Sequence, residues 1–198
     1  MKKETKNTKE KIKSVATKLF STYGYNATSI RKIAKEVGIR ESAIYNHYKS
    51  KEDIFLCISH DIFISMPSPL LTENKIKDAK GYLKEYAEEF KKMTYNKTYE
   101  KLFRLLMIEL LQNEQLRKNF MQNFHNQNTK ILSKNFFEMM QNADIRSADP
   151  MVLAYEFLST LFYIRLQVIL LNIDNKKENF IENMFEKHVD FFWESIKL

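Results

Sequence analysis

Three glycines and three prolines occur in 198 residues, where average usage would give about fourteen and about ten. Sheets need turn residues at every hairpin, so a chain this poor in them is expected to be almost entirely helical. Cysteine is scarcer still. Cys57 alone excludes an internal disulfide and any multi-cysteine zinc site. It reads as a small apolar packing residue. The start of the chain is basic and polar, with no apolar run behind it, so no signal peptide is expected. The most apolar stretch, Met151 to Ile173, is interrupted by Glu156 and Arg165, which argues against a membrane span. A cytoplasmic protein is therefore expected. No glycine-rich phosphate loop and no nucleophile motif occur, and His47, His60, His125 and His188 have no metal-ligand spacing. Neither an enzyme, nor a metal site, nor a cofactor is expected.

Charge is present in quantity, and unevenly. Residues 1–53 carry 13 Lys/Arg against 6 Asp/Glu, whereas residues 54–198 carry 19 of each. The whole excess of +7 thus belongs to the first quarter of the chain. A generally lysine-rich surface would spread it along the whole length. Concentration of this kind is the electrostatic footprint of a nucleic-acid surface.

Within that basic part lies one organised stretch, residues 28–48. Ile30, Ile33, Ala34 and Val37 recur at helical steps and give one apolar face. Thr28 stands just ahead as a possible cap, and Gly38 can enter the left-handed region that ends a helix. A second short helix follows, with Ile39, Ala43 and Ile44 inward. Ala34, Gly38 and Ile44 supply the small contact, the turn and the branched lock of a helix-turn-helix. The outward face of the second helix holds Arg40, Glu41, Ser42 and Asn46, candidates for base edges. Arg40 suits guanine, Asn46 adenine, and Glu41 can accept from cytosine. An amphipathic helix from Lys9 to Tyr23 and another from about 51 to 65 close the head, and residues 1–8 read as a basic arm.

Tyr23-Gly24-Tyr25-Asn26-Ala27-Thr28-Ser29-Ile30, Ile33-Ala34, Val37-Gly38-Ile39, Ile44-Tyr45-Asn46-His47-Tyr48 and Lys49-Ser50-Lys51-Glu52 resemble the TetR family of bacterial regulators. The resemblance covers about residues 8–56. It implies an all-α protein: a three-helix DNA-binding head over residues 1–66 and a larger helical bundle over 67–198 for ligand binding and dimerisation. The boundary is set at Met66-Pro67-Ser68-Pro69, where proline stops a helix. By the same resemblance Thr28, Tyr45, His47 and Lys51 hold the phosphate backbone of a palindromic double-stranded operator. Two departures stand out. Arg40 replaces a small hydroxyl residue, which leaves its helix without the usual cap, and Tyr48 replaces phenylalanine.

The rest of the chain reads as helices near 75–94, 98–112, 114–142, 149–172 and 176–197, the third interrupted around Asn126-Gln127-Asn128. Asp149-Pro150 is a helix start. The resemblance makes the last two helices a homodimer interface, in keeping with Ile181, Met184, Phe185, Phe191 and Phe192 on one of them. It also implies an effector pocket. Met93, Phe103, Leu106, Met107, Phe124, Phe137 and Tyr163 are its expected lining, suited to a lipophilic small molecule. Glu109 and Arg165 interrupt apolar runs, and a buried charge is costly alone. They pair with each other, cross the dimer interface, or hold a charged ligand; the sequence leaves these open. A ligand-responsive repressor is the expectation, with an activator or a ligand-independent architectural protein as alternatives.

Overall fold

Several helices in this chain start on short polar side chains. Asp149 turns back to accept from the amides of Met151 (2.8 Å) and Val152 (3.3 Å), and Pro150 opens a 24-residue helix without wasting a donor. Asp78 accepts from Gly81 and Asn113 from Leu116, each at 2.9 Å, to start two others. The computed structural model describes residues 2–64, 78–176 and 179–198, and their side chains outside 2–6, 60–64, 123–127 and 179. The expected boundary at Met66-Pro67-Ser68-Pro69 lies outside the described residues.

The elements are α1 (Lys2–Tyr23), α2 (Ile30–Val37), α3 (Glu41–Ile44), α4 (Lys51–Ile64), α5 (Ala79–Tyr95), α6 (Lys97–Gln112), α7 (Glu114–Asn119), α8 (Asn126–Gln141), α9 (Pro150–Ile173), α10 (Asn179–Glu182) and α11 (Met184–Ile196). A π-helical turn, Phe120–His125, joins α7 to α8. Among the described residues there is no strand, only a bridge between Ile145 and Lys197. The all-α expectation therefore stands. Three details differ from the sequence reading. The basic arm is helical from Lys2, in keeping with its lysines and glutamate and its lack of glycine and proline. The break in 114–142 falls at Phe120–His125, ahead of Asn126. The last segment is two helices, parted at Asn183.

The helices form two compact units: α1–α4 with α6 and α7, and α5 with α8–α11. Residues 97–120, assigned by sequence to the larger bundle, pack on α1 in the first unit. The second unit is centred on Phe157 of α9. Its ring lies 5.2 Å from Phe192, 5.7 Å from Tyr86, 6.3 Å from Phe136 and 5.3 Å from the stacked ring of His188. His188 shares a 3.1 Å hydrogen bond with the Phe157 carbonyl, and burial lowers its pKa against that bond and nearby Glu156. α9 is long and apolar enough to cross a membrane, but it holds eight buried residues of this core, Arg165 among them.

Candidate nucleic-acid interface

The turn between α2 and α3 is built by backbone bonds. Gly38 sits at φ 80°, ψ 33°, and its amide donates to the carbonyls of Ala34 (3.0 Å) and Lys35 (3.2 Å). The Ile39 amide donates to Ala34 at 3.0 Å. Nothing lies within 4 Å of where a Cβ on Gly38 would stand, so conformation and not space demands glycine here. Gly38→Ala is accordingly expected to cost about 1 kcal/mol, seen as a lower thermal midpoint with an unchanged far-ultraviolet spectrum. Buried Ile33, Ala34, Val37 and Ile44 lock the two helices together.

Capping differs from the sequence reading. Ser29, not Thr28, caps α2, its hydroxyl accepting from the Lys32 amide at 3.1 Å. Thr28 is fully buried, and its hydroxyl donates to the Gly24 carbonyl (2.9 Å) and toward Leu19 (3.4 Å). It ties the Gly24 turn to the end of α1. Arg40 does start α3 without a side-chain cap, as expected from its identity.

Arg40, Glu41, Ser42, Tyr45 and Asn46 are all exposed, and His47 is half-buried. Only residues 41–44 are regular helix; the chain continues as a turn, with the amides of His47 and Tyr48 bonded to the Ile44 carbonyl. Tyr48 is buried, its hydroxyl donating toward the Lys9 carbonyl at 3.4 Å, with the Lys9 ammonium 5.2 Å from its ring. That bond satisfies the hydroxyl that phenylalanine would lack. Burial raises the phenol's pKa further.

Lys51 is turned inward. Its ammonium donates to the Tyr25 carbonyl (2.9 Å) and lies 4.1 Å from the Tyr25 ring centroid. Burial lowers its pKa, opposed by the field of Glu109 on α6. Burial, with Glu52 and Glu109, pushes the Tyr25 phenol up to about 12. A second tie is shorter in reach: Asn113 Nδ2 donates to Glu52 Oε1 at 2.8 Å while its oxygen caps α7. No sequence pattern announced these links from the start of α4 to Tyr25 and to the cap of α7. Exposed cations that motif reading passed over are Arg31, Lys35 and Lys49; the charge asymmetry was their only signal.

The expected effector residues are scattered. Phe103, Leu106 and Glu109 are buried, and Met107 half-buried, in the first unit; Met93 and Arg165 are buried in the second. Phe137 and Tyr163 instead lie at the surface, 53% and 59% exposed. The buried rows are Leu132, Phe136 and Met139 on α8, and Phe157, Leu161, Ile164 and Val168 on α9; Phe137 and Tyr163 fall off them. The Phe124 side chain lies outside the described residues. A solvent-open groove of about 490 Å³ between α5 and α11 is bordered by none of these residues.

A buried two-helix lock, a glycine turn and an exposed polar face on a lobe carrying all the net charge define a helix-turn-helix DNA-binding unit. Residues 12–58 match the family described as bacterial regulatory proteins, tetR family. The HTH-type transcriptional regulator AcrR of Shigella flexneri is 44% identical over 54 residues, 27% of this chain and 25% of that protein. A TetR transcription regulator from Haloarcula marismortui superposes with a TM-score of 0.80 at 14% identity, over 98% of this chain and 100% of that one. A transcriptional regulator from Saccharomonospora viridis, solved in complex with choline, gives 0.75 at 20% identity, over 98% and 99%. The chain spans 25–37% of the length of the curated relatives it matches in sequence. Residues 12–58 are thus similar to that family, and the chain shares the fold of these solved regulators. All these relatives are named as transcriptional regulators.

Proposed function

We propose that this protein is a cytoplasmic transcriptional repressor that binds a palindromic operator as a homodimer and is released by a small, lipophilic effector. One observation carries the reading: Arg40, Glu41, Ser42, Tyr45 and Asn46 share the exposed face of the second helix-turn-helix element, on a lobe holding the entire positive excess. Arg40, Glu41, Ser42 and Asn46 face base edges, and Tyr45 and His47 the phosphates. Thr28 positions the loop ahead of α2. Lys51 reaches a phosphate only by leaving the Tyr25 carbonyl, and exposed Lys49 is the readier cation.

The homodimer is supported by apolar side chains exposed on the last helices: Val152, Tyr155, Tyr163 and Leu170 along α9, Phe180 on α10 and Phe191 on α11, the last 78% exposed. A monomer rarely leaves so much apolar surface in water. A two-fold dimer also matches the two half-sites of a palindrome. An effector that prefers the released conformation shifts the equilibrium by about 1–3 kcal/mol.

The test is a titration of the protein against DNA from upstream of its own coding region. Expected are a palindromic footprint, two protomers per site, and an affinity falling on the order of 1,000-fold between 50 and 200 mM salt. A monomer with no preference for that DNA at low salt would sink the reading.

A further inference from the structure

α6 carries a carboxylate on a face that packing alone would fill with leucine. Leu102, Leu106, Glu109 and Asn113 follow one another at steps of four, three and four residues, so they share one side of the helix. The two leucines are buried, and Glu109 is itself only 9% exposed. A charge in such a place is costly unless another charge answers it.

Neighbouring bonds put that carboxylate beside the start of α4. Asn113 comes one turn after Glu109, its amide donating to the Glu109 carbonyl at 2.8 Å, and its side chain donates to Glu52 at 2.8 Å. Lys51 stands next to Glu52 and is half-buried. Burial lowers the Lys51 pKa, and the charge of Glu109 opposes that fall. On its other side the Lys51 ammonium is held by the Tyr25 carbonyl at 2.9 Å and lies 4.1 Å from the Tyr25 ring centroid. The ring is itself wedged against Phe55 (4.9 Å) and Phe20 (5.5 Å), centroid to centroid.

The ammonium therefore has an internal seat made of a carbonyl, an aromatic face and the field of a buried carboxylate. A DNA phosphate takes it only by emptying that seat, which strips Glu109 of the cation set against it.

We propose that Glu109 competes with the DNA phosphate for Lys51, an autoinhibitory contact that keeps the ammonium on the Tyr25 carbonyl and weakens binding to DNA of any sequence. This rests on the DNA-binding reading above and adds to it a brake supplied by α6.

The test is a fluorescence-anisotropy titration of the full chain on its upstream DNA and on unrelated DNA at one fixed salt concentration. Glu109→Gln is expected to tighten both by about three- to tenfold. In a Lys51→Met background the same change should bring less than about twofold, the general gain from one negative charge fewer. Lys51→Met alone should weaken both DNAs alike. Should Glu109→Gln fail to fold by circular dichroism, Glu109→Met takes its place, similar in length and apolar like the leucines beside it. Unchanged or weaker binding by the Glu109 variant, or an equal gain with and without Lys51, overturns the proposal and leaves the DNA-binding reading intact. An unaltered chain that binds neither DNA takes away that reading, and the brake with it.

Discussion

Phe157→Ala is expected to lower the stability of the second unit by about 3–5 kcal/mol, the range for an aromatic core truncation. The ring is fully buried and has four aromatic neighbours on α5, α8 and α11. Its removal takes away transfer energy and leaves a cavity bordered by rings that cannot all move in at once. Typical native stability is about 5–15 kcal/mol, so the loss is a large share of the whole. Urea unfolding followed by circular dichroism reads it as a drop in midpoint at constant slope. A loss below about 1 kcal/mol would mean the ring is not at the centre of this core.

Asn46→Ala, by contrast, is expected to leave stability alone and to cost about 1–3 kcal/mol of binding to the operator only. Asn46 is exposed on the surface of the head, so its truncation removes little packing. Its amide can offer the paired donor and acceptor that adenine presents in the major groove. Tyr45→Phe supplies the comparison. Tyr45 is half exposed on the same face, and losing its hydroxyl should weaken operator and unrelated DNA equally, as a phosphate contact would. Gel shifts on both DNAs separate the two variants. The reverse ranking, with Tyr45→Phe selective and Asn46→Ala uniform, would falsify the division between base and phosphate contacts.

The fold class was legible because it depends on composition and local spacing. Three glycines and three prolines exclude a sheet-rich chain, and Ala34, Gly38 and Ile44 mark a turn whose chemistry is local. The helix start at Asp149-Pro150 lies in the few residues around its cap. What sequence could not provide depends on neighbours distant along the chain. Lys51 reads as a free cation until Tyr25, 26 residues earlier, offers its carbonyl. Thr28 reads as a cap until the end of α1 takes its hydroxyl. Phe137 and Phe136 are indistinguishable by type, yet one step around α8 exposes the first and buries the second. Glu109 and Arg165 were marked by the cost of placing charge in an apolar run.

The place of α6 limits how this protein can be taken apart. α1 packs against α6, Asn113 bonds Glu52 at the start of α4, and the charge of Glu109 acts on Lys51 and Tyr25. A fragment cut after residue 64 would therefore leave a greasy flank of α1 bare and sever the Glu52 tether. Swapping heads among relatives at that joint would transplant only part of the unit. A chimera that keeps its reading intact needs the recipient's α6 and α7 replaced in the same step.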